Sequence, residues 1–269
     1  MQMERCNYIF RNGSRCPGPI EGEGQLCFWH DPTANKEGPD IRERLQEWAH
    51  SQRSLEGIVL RYAQLEGIRL GGSKGLDLSG ADLFNANLKK AHLRHVDLSG
   101  ANLVKTDLSR AQLRKVNCAG ADLIGLHLHG ARLHDVHWGR AILQEQDGDS
   151  AKGEGEGDRA AQSYREARSI YKYLHRVYLH NRNGRMASWF YIREMEVQRK
   201  LMPPRSLERA WLLLLWLLCG YGEKPLHVAY FSLLLTAFFA VLYFFTGVLI
   251  GDVYRGYIAE LPLFENATR

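Results

Sequence analysis

Leu76-Asp77-Leu78-Ser79-Gly80-Ala81-Asp82-Leu83 returns as Val96-Asp97-Leu98-Ser99-Gly100-Ala101-Asn102-Leu103, again at 116–123 and, in weaker form, at 136–143. The interval is 20 residues, and a shorter period lies inside it. Leu or a stand-in occupies 78, 83, 88, 93, 98, 103, 108, 113, 118, 123, 128, 133, 138 and 143, usually with Ala two places earlier. A step of five keeps a side chain on one face of neither a strand nor a helix, whose periods are about 2 and 3.6. A chain that turns a corner after each quintet closes a coil after four sides, and four quintets make the longer period. Leu76, Val96, Val116 and Val136 share a column at that interval, as do Gly80, Gly100 and Gly120, which is what stacked coils require.

The motif Ala-(Asp/Asn)-Leu, written here as Ala81-Asp82-Leu83, Ala101-Asn102-Leu103 and Ala121-Asp122-Leu123, resembles that of the pentapeptide-repeat family. The resemblance implies a right-handed quadrilateral parallel β-helix with the Leu and the preceding Ala pointing inward and coils about 4.8 Å apart. Leu55, Leu60, Leu65 and Leu70 keep the same step, and Gly71-Gly72-Ser73-Lys74-Gly75 then inserts three residues, read as a loop bulging from the coil. The solenoid is expected over 53–144. Its open end would expose unpaired strand edges, so a cap is needed. Residues 36–52 are expected to supply it as a helix, with Ile41, Leu45 and Trp48 on one face and Asp40 as N-cap.

Residues 1–35 are expected to form a small zinc-knuckle-like module. Cys6, Cys16, Cys27 and His30 offer three thiolates and an imidazole, the closed tetrahedral set of a structural zinc site, and the last two have Cys-x-x-His spacing. The segment has too few apolar residues to fold unaided, so metal binding would supply its folding free energy. It resembles small Cys-Cys-Cys-His modules of bacterial proteins, with Gly13 before the second Cys, Pro17 after it and Phe28-Trp29 inside the final pair. The competing readings are unligated cysteines in a flexible arm and a redox role. Five Cys in this arrangement do not make a secreted disulfide framework, and the polar first thirty residues do not read as a signal peptide.

Beyond the coil, residues 145–158 are rich in Gly and charge and read as a flexible linker. Residues 159–202 read as an α-helical hairpin, because Tyr164, Ala167, Tyr171, Leu174 and Tyr178 step by 3 and 4 until Asn181-Arg182-Asn183-Gly184 breaks the pattern. It resembles one tetratricopeptide unit and is expected to act as a structural spacer. Residues 207–224 suit an interfacial helix and elbow, with Trp211 and Trp216 at the ends of an apolar octet. Leu226 to Ile250 has no Asp, Glu, Lys or Arg, so one transmembrane helix is expected over 225–251, followed by an extracytoplasmic tail at 252–269. Basic residues from Arg193 to Arg209 favour a cytoplasmic amino-terminal side, giving a single-pass protein of the bacterial inner membrane.

No catalytic constellation is visible, and the expected role is a non-enzymatic, membrane-anchored scaffold whose coil faces an unidentified protein partner. Self-association is permitted by open coil ends and membrane helices. A second reading comes from resemblance. The order of coil, hairpin, Gly220-Tyr221-Gly222-Glu223-Lys224-Pro225 elbow and membrane helix is similar to bacterial proteins with a potassium-channel-like two-helix pore. The pore helix and filter of such relatives do not appear before Arg269, so a truncated or auxiliary channel subunit is the form that reading takes. A third, mimicry of DNA against a topoisomerase, is disfavoured because residues 76–143 carry nine Lys and Arg against six Asp. Bases and acids are interspersed along the chain, so nucleic acid is not expected as a partner. His127, His129, His134 and His137 read as solvated side chains rather than a metal patch.

Overall fold

The computed structural model describes residues 5–20, 24–51, 54–223, 225–246, 248–250 and 253–255. They belong to two compact units, Met1–Leu201 and Met202–Arg269.

The first unit is built on the coil. One side is a parallel sheet of β1 (Arg69–Asp77), β2 (His92–Asp97), β3 (Gln112–Arg114) and β4 (Arg132–His134), stacked in that order. The register Leu93↔Leu113↔Leu133 places the same quintet position above itself every 20 residues. The other sides are joined by single parallel bridges, such as Asp82↔Asn102↔Asp122 and Asn87↔Asp107↔His127. The Leu and Ala columns are buried throughout and form the core.

Two local devices explain the motif. Where an Asp or Asn follows the inward residue it accepts the N–H two residues on, as Asp82 does from Phe84 at 3.1 Å and Asp97 from Ser99 at 2.8 Å, which starts the corner. The corner then needs a left-handed residue, and positive φ recurs at 80, 85, 90, 95, 100, 105, 110 and 115. Gly holds the 80/100/120 column, where the conformation costs nothing, but Asn85, Lys105, Lys90 and Arg110 adopt it too. Across coils, Asn102 Nδ2 donates to Asp82 Oδ1 at 2.9 Å and Asn117 Nδ2 to Asp97 Oδ1 at 3.1 Å, so at these positions an amide rather than a second acid faces the carboxylate.

The three residues inserted at 71–75 stay within β1, whose register jumps from Gly71↔Arg94 to Leu76↔Val96, a bulge on the end coil. α1 (Ile41–His50) buries Ile41 and Leu45 against the core, with Trp48 packed beside them. Asp40 sits at its N-cap but makes no capping hydrogen bond, because its own backbone is already helical (φ −78°, ψ −15°) and its carboxylate turns to Arg44 at 3.9 Å.

The far end of the coil corrects three expectations. Leu143 does not continue the inward column; Ile142 is buried instead and Leu143 opens a helix. Residues 145–158 are not a linker, since α2 (Leu143–Gly153) occupies most of them and α3 (Gly157–His180) begins before they end. α3 and α4 (Gly184–Leu201) do form a hairpin, but with α2 they make a three-helix cap rather than a spacer.

The physical reason is polar. Glu145, 1% exposed, accepts from Tyr171 Oη at 2.6 Å, Arg193 at 2.6 Å and Lys200 at 2.9 Å, so a segment without large apolar residues is held by charge-assisted bonds to α3 and α4. Gly148 lets α2 close on α3, since a Cβ there would lie 2.7 Å from the Tyr164 ring. The cap satisfies groups of the final coils. Leu128 N donates to Tyr173 Oη at 2.6 Å, Ile142 N to Tyr171 Oη at 3.1 Å and Trp138 Nε1 to Tyr178 Oη at 2.7 Å.

In the second unit, α5 (Leu207–Cys219) starts at Ser206, whose Oγ accepts from Arg209 N, and ends at left-handed Gly220. A 3-10 turn, Gly220–Gly222, with Tyr221 at φ +61°, leads to α6 (Pro225–Thr246). Gly220-Tyr221-Gly222 is thus an elbow between helices. α6 is shorter than the expected span, for Val248–Ile250 is a strand (β5) paired antiparallel with Val253–Arg255 (β6). Gly at 247 and β-branched Val248 and Ile250 are weak helix formers, in keeping with that end. Apart from β6, the expected tail at 252–269, including the glycosylation-like Asn266-Ala267-Thr268, lies outside the described residues.

Candidate metal centre

Cys6, Cys16, Cys27 and His30 come from three short segments joined by antiparallel bridges, Arg5↔Pro19, Ile9↔Arg15 and Ile20↔Cys27. A turn at Gly13, φ +81°, folds the first segment back so that Cys16 N reaches Tyr8 O. A second turn, in which Cys27 O accepts from His30 N and Asp31 N, brings the Cys-x-x-His pair onto one side. All four residues are buried, and their ligand atoms lie within 4.8 Å of one another.

The spacing fits a tetrahedral N/S site. Zn–S bonds of about 2.3 Å and Zn–N bonds of about 2.0–2.1 Å imply edges of roughly 3.8 Å between sulfurs and 3.5 Å between sulfur and nitrogen. The Cys16 and Cys27 sulfurs are 3.8 Å apart, and His30 Nδ1 lies 3.3 Å from Cys27 Sγ and 3.7 Å from Cys6 Sγ. His30 Nε2 donates to Glu56 O at 2.9 Å, which leaves the Nδ1 lone pair directed at the sulfurs. Gly18 N and Tyr8 N point at Cys16 Sγ and Cys6 Sγ, stabilising thiolate charge. The hydrogen bond from Cys16, followed by those from His30, holds Cys27 well below the ordinary thiol range; the same bond and burial push Cys16 up.

The surroundings lock this cluster onto the coil. Tyr8 stacks on the His30 ring at 4.0 Å, and its hydroxyl occupies the place a Cβ would need at Gly57, whose φ is +67°. Gly18 is similarly required, since a Cβ would meet Cys27 Cβ at 3.0 Å. Buried Glu56 accepts Arg11 N at 2.7 Å, Val59 N donates to Trp29 O at 2.8 Å, and Trp29 packs on Trp48 of α1. The cluster and α1 together therefore cover the first coil. Tyr8, Gly18 and Glu56 were not among the expected site residues; only Gly18, directly after Cys16-Pro17, carries a local signal in the sequence.

The histidines of the coil do not converge. His127 and His129 flank one side, His134 lies on the sheet side and His137 on the next, so the four project from three sides of the coil. Cys118 sits inside the coil, its thiol pushed up to about 12 by burial, and is a packing residue.

Residues 77–114 and 101–137 match the model of the pentapeptide repeats, in eight copies, which leaves the Cys/His cluster outside the matched region. No curated protein matches the chain. Among solved structures, a pentapeptide repeat protein of Nostoc Pcc 7120 is 35% identical over 36% of this chain and 83% of its own, with a TM-score of 0.32. One from the Arabidopsis thaliana thylakoid lumen is 31% identical over 33% of this chain, TM-score 0.30, and this chain spans 59% of its length. HetL of Nostoc, a pentapeptide repeat protein involved in heterocyst differentiation regulation, is 33% identical over 30% of this chain and 35% of its own, TM-score 0.23. With its repeats matched in sequence and its parallel coil in place, the chain belongs to the pentapeptide-repeat family.

Proposed function

We propose that the protein is a non-enzymatic, membrane-anchored scaffold: a β-helix closed at both ends that presents flat sides to a partner protein in the cytoplasm. The observation that carries the anchor is Leu226–Phe244, a 19-residue stretch of α6 with a mean hydropathy of 1.9 and no Asp, Glu, Lys or Arg, none of it buried within the protein. At 1.5 Å per residue it measures about 28 Å, close to the hydrocarbon thickness, and an apolar surface facing outward on every side asks for lipid. α5, with Trp211, Leu213, Leu214 and Trp216 exposed, suits the interface beside it. The excess of Lys and Arg on the amino-terminal side of α6 supports a cytoplasmic coil.

Zinc on Cys6, Cys16, Cys27 and His30 completes the reading. The ion would tie together a segment whose own apolar content is small and so hold the cover over the first coil. Membrane fractions washed with alkaline carbonate test the anchor: the intact chain is expected in the pellet, and its release refutes the span. Purified chain is expected to carry one equivalent of zinc that Cys27→Ser removes; zinc far below one equivalent, or unaffected by that change, refutes the metal.

A further inference from the structure

Coiling sorts the charges that are interspersed along the chain. The side formed by residues 69–71, 92–94, 112–114 and 132–134 of β1–β4, with the corner that follows it, displays Arg69, Arg94, Arg114, Lys115 and Arg132 against one acid, Asp135; Asp77 and Asp97, which end β1 and β2, lie past that corner. All five cations are exposed. The register places Arg94 beside Arg114, one strand spacing or about 4.8 Å away. Among the described residues none of the five makes an ion pair, whereas on the neighbouring side Lys89 pairs with Asp107 at 3.2 Å and Lys90 with Glu66 at 2.7 Å. On the other sides Asp82 and Asp122 flank Asn102, and Asp97 lies between Asp77 and Asn117. Like charges stacked across strands are destabilising, and on this side the stacked Arg94 and Arg114 have no acid among the described residues within ion-pair distance to offset them.

We infer that this basic side docks on an anionic lipid surface. It is flat and four strands wide. Its outward positions hold no Phe, Tyr or Trp, so it offers neither a stacking track for single-stranded nucleic acid nor an aromatic anchor for a protein hot spot. Among the described residues it carries no helix to enter a duplex groove. A plane of anionic headgroups asks only for a plane of opposite charge, and each Lys or Arg near such a surface strengthens binding about fivefold. The inference rests on the anchored reading to the extent that α6 keeps the coil near a bilayer and the positive-inside bias selects the anionic leaflet.

The test uses the full chain in nanodiscs of phosphatidylcholine, with and without phosphatidylserine. An arginine-selective dione and mass spectrometry report modification of Arg94, Arg114 and Arg132 relative to Arg185, an exposed residue of α4. Several-fold protection confined to anionic discs and abolished by high salt is expected. Arg114→Gln should weaken protection of Arg94 and Arg132 about fivefold. It should leave the melting temperature in neutral discs unchanged or raised, since it removes a stacked like charge. Equal rates in both lipids overturn the inference, as does protection in neutral discs by added duplex DNA that exceeds that by phosphatidylserine. Failure of the anchor reads out separately, as chain that does not co-elute with neutral discs. The same footprint on anionic vesicles then decides the face by itself.

Discussion

Glu145→Ala removes the acceptor at the centre of the three-helix cap. Three bonds go at once: Tyr171 Oη at 2.6 Å, Arg193 at 2.6 Å and Lys200 at 2.9 Å. Breaking a buried pair from one side costs about 3–5 kcal/mol, because the remaining charge loses its partner without regaining full hydration. Arg193 and Lys200 keep 23% and 28% of their side chains exposed, and Lys200 retains Asp149 at 2.6 Å, which argues for the lower end, about 3 kcal/mol. That is roughly a hundredfold rise in the open population of α2. Glu145→Gln keeps an acceptor for the tyrosine and should cost about half as much, whereas Asp149→Ala, at an exposed site, should cost no more than about 1 kcal/mol. Hydrogen exchange of the amides of 145–153 measures this directly. If those amides exchange as fast as unstructured chain in the unmodified protein, or if Glu145→Ala leaves their protection unchanged, α2 is not held by this network and the segment is the linker its composition suggests.

The cap should also fail in alkali: burial, first, raises both Tyr171 and Tyr178, the latter to about 12, above the 10.0 of an unfolded tyrosine. The folded state then keeps protons that the unfolded state releases, so this stability is complete below pH 10 and falls as pH rises, by up to about 1.4 kcal/mol per unit per group. Tyrosinate absorbance should rise together with loss of helix, and early titration of both tyrosines with the helices intact would contradict it. Leu103→Ala, at a fully buried position in the middle of the stack, should cost about 3–5 kcal/mol in a denaturant titration of the coil signal, against less than 1 if the column were loosely packed. Lys105→Gly, at φ +58°, should stabilise the coil by about 0.5–1 kcal/mol, since the lysine pays for a conformation that glycine adopts freely; a destabilised variant would refute the corner assignment.

The coil and the convergence of Cys6, Cys16, Cys27 and His30 were legible because their signals are local. A five-residue step names a corner, and Asp82, Asn102 and Asp122 repeat the residue type that makes it. Cys27 and His30 are one turn apart, and Cys6 and Cys16 need only one reversal to join them. The α2 segment was misread because nothing within it reports its partners. Tyr171, Arg193 and Lys200 lie 26 to 55 residues later, and ion pairs leave no periodicity. Tyr171 and Tyr178 were read correctly as members of an apolar face, but their hydroxyls, which complete the last coils, are invisible to a hydropathy pattern. The basic side was hidden for a different reason. A side of five residues takes every fourth quintet, so acids and bases that alternate along the string separate when it is wound.

The corners at every fifth residue also fix how this body can change in length. Adding or deleting 20 residues moves the cysteine-bearing end from the helical end by one strand spacing, about 4.8 Å, with no change in their relative rotation. Adding five would turn one end by a quarter turn against the other and misalign every column. Length is therefore available only in whole coils, and duplication of a single coil gives a graduated spacer whose two ends need no redesign.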